Sequence, residues 1–155
     1  MRTVSVESSD DSLREIVVEW SELLAQERYG AALDICPPSE RYLPWDADLL
    51  QKAVRGYGVP DPGPGVVEMM LQDWGVDVFV VTSLAGRPDR DEIIRDRIRV
   101  DRKHLFGLDP AQYVGMVHYN DVPLSGYRSD LTAQFHIKRV GVDRLMLEFL
   151  AMHVM

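Results

Sequence analysis

The stretch LTAQFHIKRVGVDRLMLEFLAMHV, residues 131–154, decides the fold class of this chain. In its first half, apolar residues occupy every second position: Leu131, Ala133, Phe135 and Ile137. The residues between them are polar: Thr132, Gln134, His136 and Lys138. This alternation predicts a strand with one face in a core and the other face wetter. The connection VGVD at 140–143 predicts a tight hairpin into a last strand over 144–154.

Further strands are predicted upstream, where β-branched and aromatic residues are frequent. The predicted segments are VDVFVVT at 76–82, the weaker run 94–100, and 113–120. Together with the hairpin, they predict a mostly antiparallel sheet.

Three segments with helical spacing predict helices. The first begins at Ser12, because SLRE at 12–15 has the spacing of a capping box. Apolar residues then recur every three or four positions: Leu13, Ile16, Val17, Trp20, Leu23 and Leu24. A second helix is predicted from Asp46 as N-cap to Gly58, which would take the left-handed position at its end. For VVEMMLQDW at 66–74, the spacing of the apolar residues favours a helix over a strand.

The eight residues GVPDPGPG at 58–65 predict an internal loop, because they contain three glycines and three prolines. Neither flank is large enough for a separate core, so residues 1–155 are interpreted as a single domain. Helices followed by a meander of strands are typical of an α+β domain with the helices packed on one face of the sheet.

Two runs carry a resemblance to a known superfamily. LREIVVEWSELLAQERYGAALDI at 13–35 resembles the opening helix, and TAQFHIKRVGVDRLMLEFLAMHV at 132–154 the closing hairpin, of the nuclear-transport-factor-two-like superfamily with its cystatin-like α+β fold. The two runs cover about a third of the chain, and the middle has no counterpart. The resemblance implies N-terminal helices packed on a curved, cone-like sheet. A second run, 115–135, resembles uncharacterised bacterial proteins and implies no activity.

Composition argues against several classes of function. The net charge of −8 repels nucleic acid and anionic membrane surfaces, so neither is expected as a partner. Arginines at 87–103 alternate with acids, which indicates a solvated face; a basic docking patch is the alternative. Cys36 is the only cysteine, so an intramolecular disulfide and a thiolate metal cluster are excluded, and a buried thiol is expected. The first residues lack the pattern of a signal peptide, so a cytoplasmic location is expected.

The stretch VHYNDVPLSGYRSD at 117–130 contains the main candidate residues. His118 and His136 would face the same side if their strands pair in a suitable register, with Tyr119 and Asp130 nearby. Such residues could act as acid, base or hydrogen-bond donor. The alternative is that the histidines fill a half-exposed sheet face and that the remaining polar residues form a turn. Neither HxH nor HExxH occurs, so no metal is expected, and no sequence motif indicates a cofactor.

The resemblance also implies a cone that binds a ligand. Its candidate lining and binding residues are Trp20, Tyr29, Asn120 and Ser129. Superfamily members that are enzymes, such as relatives of ketosteroid isomerase and scytalone dehydratase, place Asp, His and Tyr residues in the cone. No enzyme motif aligns with this chain residue by residue. Trp20 is also explained by core packing, and Asn120 and Ser129 by the turn.

These observations favour a cytoplasmic bacterial domain that binds a protein or a small molecule without catalysis. Its acidity would suit a basic partner, as in an immunity protein or an accessory subunit. The alternative is a small isomerase, dehydratase or cyclase with an acid/base pocket in the cone. A third interpretation is a homodimer formed through the open sheet face.

Overall fold

The computed structural model describes residues 1–42 and 44–154, and within them the chain forms an α+β fold. The helices are α1 (Asp10–Ala25), α2 (Tyr29–Ile35), α3 (Ala47–Arg55), α4 (Pro64–Trp74) and α5 (Arg90–Arg97). The strands are β1 (Thr3–Ser5), β2 (Ile98–Asp101), β3 (Tyr113–Tyr119), β4 (Leu131–Val140) and β5 (Arg144–Val154).

The strands form one antiparallel sheet in the order β1-β5-β4-β3-β2, and the sheet curls strongly into a half-barrel. This curled sheet with helices packed on it confirms the predicted fold class. β1 pairs only with the first residues of β5. Farther along β5, the Phe149 N–H donates to the Pro37 carbonyl at 2.8 Å and the Ser39 N–H donates to the Phe149 carbonyl at 2.7 Å. Residues 37–39 therefore continue the sheet edge that β1 begins.

Helix α1 lies across one face of the sheet, called the inner face here. Trp20 is fully buried, with its ring 5.1 Å from that of Phe135 and 5.6 Å from that of Phe149. The four alternating apolar residues of β4 are buried in the core on this face, as predicted: Leu131, Ala133, Phe135 and Ile137. Burying one such large apolar side chain contributes roughly 2–3 kcal/mol, so this layer is the main source of stability.

The helix boundaries confirm one predicted cap and correct another. The Asp46 carboxylate accepts the Leu49 N–H at 2.8 Å and begins α3, as predicted. Helix α1 begins three residues before the predicted position, with Ser9 as its N-cap, so SLRE at 12–15 lies inside the helix. Two acids, Asp10 and Asp11, occupy the first turn of α1, where they interact favourably with the helix dipole.

The predicted helix at 66–74 is confirmed as α4, which begins at Pro64. The last two residues of the predicted loop 58–65 are therefore the first turn of this helix. Proline fits there because the first helical N–H has no partner within the helix. Gly58 has a φ of 83°, which is the left-handed conformation predicted for it, although α3 already ends at Arg55.

One predicted strand is wrong and a second is only partly confirmed. Residues 76–82 form no strand, and only Val81 makes an isolated bridge, to Leu124. The backbone of this segment bonds the loop that follows β3 instead: the Thr82 N–H donates to the Pro123 carbonyl at 2.8 Å. In the segment 94–100, the first half is the end of α5 and only Ile98 onward is the strand β2.

The other face of the sheet, called the outer face, is drier than predicted. His136 and Thr132 were expected on a wetter face, yet each is only 2% exposed. Apolar neighbours on this face, Met116 and Met146, are also buried. Within the described residues, no helix has the length and apolar character needed to cross a lipid bilayer.

Candidate functional site

A buried carboxylate, Glu148 of β5, lies at the centre of the outer face. The Tyr113 hydroxyl donates to its Oε1 at 3.4 Å, and the Lys138 ammonium donates to its Oε2 at 3.2 Å. His136 Nδ1 lies 3.7 Å from Oε1 but makes no hydrogen bond of ordinary geometry to any residue that the structure describes. These four residues, Tyr113, His136, Lys138 and Glu148, are called the Glu148 cluster.

Two opposing effects act on the Glu148 carboxyl. Burial tends to raise its pKa, but His136, Lys138 and Ser39 stabilise the ionised form more strongly and lower the pKa to about 2. Burial in turn tends to lower the pKa of Lys138, and its bond to Glu148 outweighs this and raises it. At neutral pH the cluster therefore contains an ion pair between a buried carboxylate and a partly exposed ammonium group.

Residues 37–42, called the strap, pass from the edge of β5 over the cluster. The Arg41 guanidinium lies 6.0 Å from the centre of the Tyr113 ring, and the Tyr42 ring lies 6.1 Å from that of His136. A groove of 310 Å³ beside the strap is lined by strap residues and Trp45, not by His136. The Glu148 cluster thus attaches the strap to the sheet.

Sequence reasoning identified His136 but missed its partners Glu148, Lys138 and Tyr113. A signal for Glu148 was present, because the predicted hairpin at 140–143 sets the register of the two strands. That register places His136 opposite Glu148, the only charged residue between Leu145 and Met152. Tyr113 and the strap had no comparable signal.

A second polar site lies on the same face, around His118. A groove of 630 Å³ is lined by Asp10, Arg99, Val100, Asp101, Arg102, Lys103, His104, His118 and Asn120. It is called the His118 groove. His118 is half-buried, and burial is the main reason that its pKa lies below the ordinary value.

His118 and His136 share the outer face, as expected if their strands pair in a suitable register. His118 pairs with Gln134 and Met116 pairs with His136, so the two histidines are diagonal neighbours on adjacent strands. Their surroundings differ, because His118 lines an open groove and His136 lies beneath the strap.

The other two catalytic candidates lie elsewhere. Tyr119 is fully buried on the inner face, and burial raises its pKa to about 12. The Tyr119 hydroxyl makes no hydrogen bond of ordinary geometry within the described residues. Asp130 lies just before β4, where its carboxylate accepts a short hydrogen bond from the Tyr57 hydroxyl and its N–H donates to the same oxygen at 3.1 Å. The structure therefore does not bring Tyr119 and Asp130 to either histidine.

Of the four predicted ligand-binding residues, one lines a groove. Trp20 and Tyr29 are buried in the core. The Ser129 hydroxyl donates to the Val122 carbonyl at 2.6 Å and accepts the Leu131 N–H at 3.0 Å, so it ties the turn together. Asn120 lines the His118 groove. No group of three or more His, Cys, Asp or Glu residues within 1–42 and 44–154 is placed to hold a metal ion.

A third feature is the surface around α4. This helix is apolar on most of its circumference, yet Met70 is its only buried residue. It is held mainly through Trp74, whose ring contacts those of Tyr57, Phe79 and Tyr127 at 5.2–6.2 Å. Large apolar side chains that are 43–50% exposed surround it: Val59, Met69, Leu71, Val78 and Tyr127. These five residues, with the acids among residues 56–86, are called the α4 surface.

No protein-family model, no curated protein and no solved structure matches the chain.

Proposed function

We propose that this chain is a non-catalytic binding domain whose α4 surface docks onto a basic, partly apolar surface of another protein. The observation that carries the proposal is the composition of residues 56–86. This segment contains the acids Asp61, Glu68, Asp73 and Asp77 and no lysine, arginine or histidine. Exposed apolar side chains and carboxylates thus share one surface.

The arrangement on α4 supports a surface that contacts a partner on both flanks. Val66, Met70 and Trp74 follow helical spacing and face the core. Glu68 and Gln72 are exposed on the opposite side, and the spacing places Met69 and Leu71 on either side of them. Exposed apolar area rimmed by charge is typical of interaction sites on soluble proteins.

Charge complementarity supports a basic partner. The four acids of residues 56–86 supply half of the net charge of −8, and none of them has an ion-pair partner within the described residues. Such a concentration of carboxylates attracts lysine- and arginine-rich surfaces and speeds their encounter. A second copy of the chain would bring four more carboxylates to the same place, so repulsion disfavours a homodimer through the α4 surface.

Binding is preferred over the alternative, a small isomerase, dehydratase or cyclase, because of where the candidate residues lie. An acid/base site requires its groups within hydrogen-bond reach of one substrate. His118 lines an open groove, His136 lies under the strap, Tyr119 is in the core and Asp130 is bonded to Tyr57.

The test uses two helical peptides of equal length, one of leucine and lysine and one of leucine and glutamate, titrated calorimetrically. We expect the chain to bind the lysine peptide, and roughly 0.5 M salt to weaken that binding by screening. The double substitution Met69→Ser with Leu71→Ser should raise the Kd about tenfold or more, because exposed apolar anchors carry much of such binding energy.

Val142→Ser is the matched control, because Val142 is 97% exposed, more than any other large apolar residue that the structure describes, and lies in the β4–β5 turn. The proposal is overturned if this control weakens binding as much as the α4 substitutions do. Equal affinity for the two peptides would also overturn it.

A further inference from the structure

We infer that the His118 groove binds a small oxyanion, inorganic phosphate or a phosphate monoester, through Arg99, Lys103, His118 and Asn120. This site lies on the outer face and is independent of the α4 surface.

The carboxylates that line the groove are already engaged by its own wall. Asp10 accepts from the Arg102 guanidinium at 2.8 Å. Asp101 Oδ1 accepts the backbone N–H of Lys103 at 2.8 Å and of His104 at 3.2 Å, and its Oδ2 lies 2.8 Å from His104 Nδ1. These bonds compensate part of the negative charge that the two carboxylates bring to the groove.

The donors of the groove, by contrast, remain available. Neither Arg99 nor Lys103 has an ion-pair partner within the described residues. The Asn120 side-chain oxygen accepts from the Thr132 hydroxyl at 3.5 Å, which leaves the Asn120 amide N–H groups to donate. A site that offers two cations and an amide donor complements a ligand that only accepts hydrogen bonds, and an oxyanion is such a ligand.

The strand register adds a second reason. Arg99 of β2 lies directly opposite His118 of β3 on the outer face. Like charges at such a position destabilise a sheet once the imidazole is protonated. An anion bound between the two side chains would be attracted to both of them and would offset their mutual repulsion. Elsewhere in the arginine-rich segment, Arg87, Arg90 and Arg95 pair with adjacent acids, as expected for a solvated face.

The size of the groove fits a metabolite better than a bare ion. Its volume of 630 Å³ lies within the usual range for small-molecule sites, about 300–1,000 Å³. Phosphate alone would fill only part of it, whereas a monoester could extend along the wall formed by Val100 and Asn120.

The groups facing His118 determine how its protonation should respond to the ligand. The pKa of His118 is lowered by burial, by His153 of β5 and by Arg99 of β2, and it is raised by Asp101. Lys103 and His104 line the same groove, and Gln134, the residue opposite His118 on β4, is neutral. A bound anion favours imidazolium, so it should raise the pKa of His118 and bind more tightly as pH falls through that range.

The experiment is an NMR titration of the His118 imidazole across pH, in chloride and then with phosphate added at constant ionic strength. We expect phosphate to raise the His118 pKa, and Arg99→Gln or Lys103→Gln to raise the phosphate Kd about tenfold or more. Glycerol phosphate, titrated in parallel, distinguishes the two sources: tighter binding than phosphate assigns a monoester, and weaker binding assigns the inorganic ion.

Arg28→Gln is the matched control, because it removes the same charge from an exposed residue beyond the far end of α1, where Arg28 is the N-cap of α2 and makes no side-chain cap bond. The inference is overturned if phosphate leaves the His118 pKa unchanged, or if Arg28→Gln weakens binding as much as Arg99→Gln does. If circular dichroism shows that Arg99→Gln is unfolded, the inference is tested by the wild-type titration and by Lys103→Gln.

Discussion

At the scale of single residues, Glu148 illustrates how a sheet face keeps a carboxylate ionised while nearly excluding water. Burial opposes its charge, and donors from β3, β4 and the strap sustain it. His136 is buried, and among residues 1–42 and 44–154 its Nδ1 has no hydrogen-bond partner but lies 3.7 Å from the same carboxylate. Removing one member of such a group leaves the others buried without compensation.

Glu148 should make the stability of the chain depend on pH in the acid range. Its pKa falls from the ordinary 4.5 to about 2 on folding, so its contribution is complete above about pH 4.5 and is lost as pH falls toward 2. A shift of this size corresponds to about 3 kcal/mol. Urea unfolding between pH 2 and pH 7 should therefore show a steep loss of stability for the wild type and a shallower one for Glu148→Gln.

The control for this prediction is Glu7→Gln, because Glu7 is exposed and has no ion-pair partner within the described residues. At pH 7, Glu148→Gln should be less stable than this control by about 1–3 kcal/mol, because Lys138 and His136 lose their anion. Identical pH profiles for the two variants would contradict the role assigned to Glu148.

At the scale of elements, the close approach of β2 to the start of β3 depends on Gly115. A Cβ atom at this position would lie 1.9 Å from the Asp101 carbonyl oxygen and 2.9 Å from Arg102 Cα. Both are backbone atoms and cannot move independently. The register between β3 and β4 also shifts here, between Tyr113 and Gly115.

We therefore expect Gly115→Ala to destabilise the fold by about 2–3 kcal/mol, because the β2 backbone must move to admit a methyl group. The same substitution displaces Asp101 and Arg102, so it should also disturb the His118 groove. Gly65→Ala is the control: Gly65 is helical and has open space around it, so alanine should be neutral or stabilise by up to about 1 kcal/mol. Equal urea midpoints for the two variants would refute the clash.

Helix α4 is attached to the core through Met70 and through the ring of Trp74. Trp74→Ala removes its ring contacts with Tyr57, Phe79 and Tyr127. Hydrogen exchange in residues 64–74 should then accelerate about tenfold or more, while β4 keeps its protection, because α4 opens as a local unit. Met69→Ala should leave exchange unchanged, since Met69 is half-exposed. A uniform increase across β4 would mean that Trp74 stabilises the whole fold.

The elements show what a sequence can predict. The three long strands and α1 carry repeating patterns, and these patterns predicted their location well. The strand prediction for VDVFVVT at 76–82 was wrong although the alternation is real, since Phe79 and Val81 are buried. The backbone of this segment bonds an irregular loop instead of a strand. A pattern of alternating burial cannot distinguish a β-strand from an extended segment that makes no regular backbone hydrogen bonds with a neighbouring strand. The Glu148 cluster, likewise, depends on a strap about a hundred residues away in the chain.

At the scale of the whole molecule, Cys36 reports on the cooperativity of the fold. It is fully buried between α2 and the strap, and burial raises the pKa of its thiol, so almost no thiolate is exposed in the native state. We expect labelling by an aromatic disulfide reagent to be about a thousandfold slower in buffer than in urea, because it requires unfolding.

Val142→Cys supplies the reference for this measurement, because that position lies in an exposed turn and should react at the rate of an unfolded chain. Fast labelling of Cys36 in buffer would show that the strap opens without the rest of the fold. The sequence alone predicted the buried thiol, which the structure confirms. It could not predict which segment covers it, because that depends on the edge of β5.

The edge of β5 has a consequence for how the protein is made. Residues 3–5 and 37–39 find their partners only at Arg144–Met146 and Phe149, which the ribosome adds more than a hundred residues later. Until β5 is made, neither segment has a strand to pair with. Contacts between residues so far apart in sequence are among the slowest to form in folding. Pro37 and Pro38 have no backbone N–H, so before β5 is made they cannot donate hydrogen bonds to an incorrect strand partner. This sheet can therefore be completed only after β5 has been synthesised, so its first strand is among the last to pair.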